Sequence, residues 1–150
     1  PYYRYEWLQL LDDAGALAAV AVYRIERLSD LDESVIHVVE FLGDPEARVP
    51  LAAALVGVTR EIGASFIGFR CSHRPSLDAW LPVGGVRYGA DDPTYQVPSL
   101  FQPVVQNYRP LIWAYRMNPA DAARPGLDRL YVTRADADQD RPSQLAPVRA

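Results

Sequence analysis

Residues 35–50 read VIHVVEFLGDPEARVP, and this stretch decides the fold. Residues 35–41 are apolar and rich in β-branched side chains, which is typical of a central strand covered on both faces. Residues 41–50 include glycine, aspartate and prolines, which favour turns, and we interpret them as a loop that leads into a helix over residues 49–62. Such a loop is a ready anion site, because free backbone N–H groups and the positive end of the helix dipole converge there.

The segments around this stretch predict an order of strand, strand, strand, helix, strand, helix, strand. The predicted elements are, in chain order, strands at 2–11, 16–25 and 35–41, a helix at 49–62, a strand at 65–71, a helix at 75–81, and strands at 86–88, 111–115 and 127–133. Residues 91–109 predict a long loop. The order favours an α/β (α+β) fold with a mixed, mostly antiparallel twisted sheet in residues 1–133, followed by a polar tail at 134–150.

Length and composition favour one globular domain. The chain has 150 residues, of which 49% are hydrophobic and 23% charged, the range of an ordinary folded domain. No apolar run reaches membrane-spanning length and no signal-peptide h-region opens the chain, so we expect a cytoplasmic protein without membrane contact. The single Cys71 excludes an intrachain disulfide framework and a Cys-rich zinc site.

The charge pattern excludes two classes of function. The net charge is −4, and the 15 basic residues, all arginines, are scattered along the chain, so we expect no nucleic-acid partner. The absence of lysine excludes Schiff-base and lysine-nucleophile mechanisms. The acids at 136–140 alternate as in a calcium loop, but Arg141 stands at the position of the turn glycine, so we predict no metal site.

The element order and spacing resemble the GNAT N-acetyltransferase superfamily over residues 2–113. In that fold an antiparallel hairpin leads to a central strand, a helix, a parallel strand, a second helix and two closing strands. The family's first strand and the two helices after it have no counterpart here. We therefore expect that the chain begins partway into the fold or is the C-terminal part of a larger protein.

The resemblance implies an acyl-CoA-dependent N-acyltransferase, which moves an acetyl or acyl group to an amine by direct attack. Its substrates would be acetyl-CoA or another acyl-CoA and an acceptor that is a small-molecule amine or a protein. A homodimer or a covalently joined partner domain would fit the missing first third of the fold.

The resemblance also implies which residues hold the acyl-CoA. The family's phosphate loop reads Arg or Gln, two residues, Gly, one residue, then Gly or Ala. Arg48 matches the first position and Ala53 the last, whereas Leu51 stands at the first glycine and Pro50 has no N–H.

The resemblance further implies that backbone N–H groups at the end of the central strand polarise the thioester carbonyl. These belong to Phe41 and Leu42, with Gly43 in the same cofactor-binding segment. His73 follows the next strand, where α/β sheets gather ligand contacts, and the alternative interpretation is a helix cap or a surface residue.

Three residues are candidates for catalysis, each with an alternative interpretation. His37 could take a proton from the amine near neutral pH, or be a buried structural histidine. Glu40, which strand alternation puts on the opposite face from His37, could be the base or a solvated acid. Tyr88 could replace the general acid that many relatives place near the positions of Trp80 and Leu81 here, or pack as a strand tyrosine.

Two other functions stay open. A catalytically degenerate GNAT-like domain, acting as a scaffold or interaction module in a larger protein, would account for Leu51 in the phosphate loop and the displaced general acid. An unrelated α/β ligand-binding domain is the third possibility.

Overall fold

The computed structural model describes residues 4–28, 32–87 and 130–133. Its elements are β1 (Tyr5–Leu11), β2 (Leu17–Leu28), β3 (Glu33–Gly43), α1 (Pro45–Ile62), β4 (Phe66–Phe69), α2 (Arg74–Asp78) and a 3₁₀ turn (Leu81–Val83). The strands form one sheet in the order β1-β2-β3-β4. The first two pairs are antiparallel and β3 pairs with β4 in parallel. This confirms the predicted mixed sheet and the predicted order of elements as far as α2.

The predicted hairpin is confirmed and is closed by Asp12. Its carboxylate accepts the backbone N–H groups of Ala14 at 2.9 Å and Ala16 at 2.8 Å. Gly15 takes a φ of +80°, which glycine adopts without steric cost. The turn therefore fixes the register of β1 against β2 through local hydrogen bonds.

The core lies between α1 and one face of the sheet. Leu51 and Leu55 of α1 are fully buried there against Ile36 of β3. The rings of Phe41, Phe69 and Trp80 extend this core, with centroids 5.3–5.8 Å apart. Such tilted aromatic contacts hold the end of β3, β4 and the 3₁₀ turn together.

The helix α1 begins four residues earlier than the sequence predicts. Only Asp44, with φ −59° and ψ 149°, separates β3 from Pro45. Proline suits the first helical turn, because its φ is already helical and the N–H it lacks would be unpaired there. The interpretation of residues 41–50 as a loop is therefore wrong. The predicted end of the helix is confirmed, since Gly63 closes α1 with a left-handed φ of 67°.

The closing part of the predicted fold is only partly described. Val86 and Arg87 form no strand, so the strand predicted at 86–88 is wrong for these two residues. Tyr88 and the segments predicted at 91–109, 111–115 and 134–150 lie outside the described residues. Of the strand predicted at 127–133, the described part is 130–133, where Thr133 forms an antiparallel bridge with Cys71. Among the described helices, none is long and apolar enough to cross a membrane.

Candidate functional site

A bulge interrupts β3 just before its end. Val22 of β2 is the partner of Glu40, whereas the next residue, Tyr23, is the partner of Val38. Val39 is thus an extra residue with no partner in the β2–β3 register. A bulge of this kind bends the strand and re-aims the side chains that follow it.

The bulge turns Glu40 to the same face of the sheet as His37. Their partners in β2 are Val22 and Arg24, which are two residues apart on a regular strand and so share a face. Alternation along an unbroken strand puts Glu40 on the opposite face, and that expectation was wrong. The reason is the extra residue, which shifts every later side chain of β3 by one position.

The backbone N–H of Phe41 points out of the β2–β3 ladder. The N–H of Asp44 donates to the carbonyl of Ala18 in β2 at 3.0 Å, and N–H groups alternate sides along a strand. The N–H of Phe41 therefore points to the side of β4. Pairing with β4, however, ends at Val38 and Phe69. The two parallel strands no longer pair at Phe41, and this N–H lies in the gap between them.

The hydroxyl of Tyr131 fills that gap. The Phe41 N–H donates to Tyr131 Oη at 2.7 Å, and the hydroxyl donates to Glu40 Oε2 at 3.2 Å. Thr133 Oγ1 donates to the other carboxylate oxygen of Glu40 at 3.1 Å. Burial raises the pKa of Tyr131, and the nearby Glu40 and Cys71 raise it further, although the Phe41 N–H acts in the opposite direction. The hydroxyl therefore stays protonated near neutral pH.

Residues 130–133 are held in place by the chain just after β4. The N–H of Ser72 donates to the carbonyl of Val132 at 3.0 Å, and the N–H of Val132 donates to Ser72 Oγ at 3.0 Å. The same Ser72 hydroxyl donates to the carbonyl of Leu130. With the bridge between Cys71 and Thr133, these contacts extend the sheet edge beyond β4 and bring Tyr131 to the end of β3.

His73 lies next to Tyr131. It stands at the N-cap position of α2, and its Nδ1 is 2.9 Å from the hydroxyl of the buried Ser76. The two aromatic rings of His73 and Tyr131 meet edge to face, with centroids 6.1 Å apart. The backbone N–H of His73 donates to Cys71 Sγ at 3.2 Å. Phe41, Glu40 and His73, all proposed from the sequence, thus come together around a tyrosine that was not.

The residues proposed for the phosphate loop lie within α1 instead. Arg48 Nε donates back to the carbonyl of Gly43 at 3.2 Å. Leu51 is buried in the core, and Ala53 is exposed near the middle of the helix. Ala53 comes eight residues after Pro45, which corresponds to about 12 Å along a helix axis. The helix therefore does not gather Arg48 and Ala53 around one set of free N–H groups.

His37 belongs to a buried ionic cluster. Its side chain is 1% exposed, and its Nε2 lies 3.1 Å from Glu26 Oε2. Arg24, also buried, places Nη1 2.5 Å from the same oxygen. Burial of the Glu26 carboxyl favours its neutral form, but the hydrogen bonds and charges of His37 and Arg24 outweigh this and lower its pKa to about 2. His37 thus contacts a carboxylate of β2.

The cluster predicts a specific loss of stability in acid. The pKa of Glu26 falls from 4.5 to about 2 on folding. Its contribution is therefore complete above the unfolded value and is lost as the pH falls through the folded one. We expect a loss of about 3 kcal/mol in the free energy of unfolding, spread from roughly pH 5 to below pH 2. Urea unfolding at a series of pH values measures this, and a Glu26→Gln variant with the same acid slope as the wild type would contradict it.

Two solved structures of acetyltransferases are distantly similar to this chain. No protein-family model matches the chain, and no curated protein matches it. An acetyltransferase of Trypanosoma brucei is 17% identical with a TM-score of 0.47, over 59% of this chain and 66% of that one. Glucosamine-6-phosphate N-acetyltransferase from Arabidopsis thaliana is 13% identical with a TM-score of 0.48, over 61% and 66%. This chain thus spans slightly less than two thirds of the length of each.

Proposed function

We propose that the chain is a GNAT-like N-acyltransferase domain that moves an acyl group from an acyl-CoA to a primary amine. The observation that carries the proposal is the Phe41 N–H, which leaves the sheet at the gap between β3 and β4 beside the Glu40 carboxylate. A backbone donor aimed into a gap between strands can hold a carbonyl oxygen. A carboxylate beside it can accept a proton from an attacking amine.

The proposed reaction is a direct attack. The amine nitrogen adds to the thioester carbonyl carbon, the C–N bond forms and the C–S bond breaks. The Phe41 N–H stabilises the negative charge that develops on the carbonyl oxygen, and Glu40 takes the proton that the amine loses. Coenzyme A leaves as a thiolate and is protonated from solvent. Arg48 is the residue that we assign to the pyrophosphate.

The start of α1 favours a second candidate function. The helix follows β3 after one residue, without a glycine-rich loop, and it carries Asp44 at its N-cap and Glu46 in its first turn. Negative charge at a helix N-terminus opposes an anionic ligand. A degenerate GNAT-like domain that serves as a scaffold would retain the sheet and α1 while having lost acyl-CoA binding.

Acetyl-CoA should raise the melting temperature if the domain is an acyltransferase. A ligand that binds only the native state at about 100 times its dissociation constant stabilises it by about 2.7 kcal/mol. For a chain of this size that corresponds to a shift of roughly 5–10 °C. Differential scanning calorimetry of the full-length protein at increasing acetyl-CoA concentrations measures the shift.

Two arginine variants in α1 localise the binding. Arg48→Glu should abolish the shift, because it replaces the proposed pyrophosphate contact with a negative charge. Arg60→Glu, at the other end of the same helix, makes the same change in net charge and should leave the shift intact. The absence of any shift at millimolar acetyl-CoA would contradict acyl transfer and favour the scaffold.

A further inference from the structure

The hydroxyl of Tyr131 stands where the proposed acyl transfer needs a carbonyl oxygen. Its oxygen accepts the Phe41 N–H at 2.7 Å, a normal distance for an N–H donor and an oxygen acceptor. A thioester carbonyl bonded to the same N–H would occupy the same space. We infer that Tyr131 closes the acyl site from within and that an acyl-CoA thioester binds by displacing it; this inference rests on the proposed function.

One hydroxyl occupies both groups that the reaction uses. It accepts from Phe41, the proposed oxyanion donor, and donates to Glu40, the proposed base. With Tyr131 in place, the donor is not available to a carbonyl, and one carboxylate oxygen is already hydrogen-bonded. Displacement of the ring frees the N–H and leaves Thr133 as the hydroxyl donor to Glu40 among the described residues. Displacement of the Tyr131 ring therefore makes both the Phe41 N–H and one oxygen of the Glu40 carboxylate available for the proposed reaction.

Displacement leaves the described fold intact. Residues 130–133 are held at Ser72 and through the bridge to Cys71, outside the pairing of β3 with β4. The core between α1 and the sheet includes none of these four residues. The segment can therefore exchange its hydrogen bonds for bonds to water or to a ligand, while the strand ends that form the site keep their positions.

The occlusion has a measurable consequence for affinity. A ligand that binds only the open form has its apparent affinity reduced by the fraction of molecules that are open. Tyr131→Phe keeps the ring beside His73 but removes the oxygen that accepts the Phe41 N–H. The open fraction rises, and acetyl-CoA should bind roughly three- to tenfold more tightly, since a hydrogen bond contributes about that factor.

Coenzyme A without an acyl group is the matched control for acetyl-CoA in this experiment. It has no thioester carbonyl and does not compete with Tyr131 for the Phe41 N–H. Its affinity should change by less than about twofold in the variant. Tyr23→Phe, which removes the hydroxyl of a buried tyrosine on the other face of the sheet, is the matched control and should change neither affinity.

Isothermal titration calorimetry of both ligands with the wild type and the two variants tests whether Tyr131 occludes the acyl site. Tightening for acetyl-CoA alone in Tyr131→Phe supports the occlusion, as does binding that appears only in this variant. Unchanged or weaker acetyl-CoA binding in Tyr131→Phe, beside clear binding by the wild type, overturns the occlusion and leaves acyl transfer standing. Equal tightening for both ligands also overturns it. Binding by none of the three proteins overturns the proposed function, and the occlusion with it.

Discussion

Replacement of Glu26 with Gln should destabilise the protein by about 3–5 kcal/mol, the usual cost of breaking a buried ion pair by removing one of its members. The carboxylate lies between Arg24 and His37, and the side chains of these two residues are 5% and 1% exposed. A glutamine of the same shape can still accept one hydrogen bond, but it brings no negative charge. The Arg24 guanidinium would then lose the negative charge of Glu26 while it stays buried and charged, because arginine does not lose its proton in proteins.

Glu6→Gln is the matched control for this prediction. Glu6 also forms an ion pair, with Arg4 at 2.8 Å, but both side chains are exposed. Exposed pairs contribute between 0 and about 1 kcal/mol, so this variant should unfold close to the wild type. Urea unfolding near neutral pH measures both. A loss of less than about 1 kcal/mol for Glu26→Gln would show that water reaches the cluster and screens it.

Local sequence patterns predicted the fold better than they predicted the site. The β-branched run of β3, the turn at Asp12 and the stop at Gly63 each depend on neighbouring residues, and each was confirmed. The start of α1 was misplaced because two prolines, Pro45 and Pro50, both fit a first helical turn. The structure places the first at that position and accommodates the second inside the helix.

The site depends on features that no local pattern carries. The extra residue at Val39 follows from the register against β2, which the sequence of β3 alone does not specify. The contact between Phe41 and Tyr131 joins residues 90 positions apart. Tyr131 and Thr133 are two residues apart in an extended segment, so their side chains lie on the same face. This spacing is the feature of the sequence that could have predicted that both contact one group.

The ionic cluster shows the same limit. Arg24 and Glu26 are two residues apart in β2, so the sequence could have put them on one face. Their pairing with His37 needed the register in which Arg24 lies opposite His37. Because of this pairing, His37 contacts the carboxylate of Glu26 and is not an isolated histidine on the strand. Glu40, which the bulge turns toward residues 130–133, is left as the base of the proposed reaction.

Replacement of Gly43 with Ala should destabilise the protein by about 3 kcal/mol or more, through overpacking against β2. A Cβ at this position would lie 2.4 Å from the Cβ of Ala19 and 2.9 Å from its Cα. The second atom is backbone, so no side-chain rotation relieves the contact. The end of β3 would have to move away from β2 and weaken the hydrogen bond from Asp44 to Ala18.

A glycine-to-alanine substitution inside α1 should have the opposite effect on the stability of the protein. A Cβ added at Gly57, inside α1, meets no atom within 4 Å, and Gly57→Ala should stabilise the protein by up to about 1 kcal/mol through helix propensity. Thermal unfolding of both variants without any ligand measures the contrast. A loss below about 1 kcal/mol for Gly43→Ala would mean that the strand end yields easily.

A double variant separates the steric cause from other roles of Gly43. Ala19→Gly removes the Cβ that lies nearest, so Gly43→Ala combined with Ala19→Gly should lose less stability than the two single losses added together. A purely additive result would exclude the contact as the cause. A non-additive result would identify Gly43 as the residue that lets β3 approach β2 closely. That would assign to Gly43 the role of fixing the strand end from which the Phe41 N–H points, the donor of the proposed acyl-CoA site.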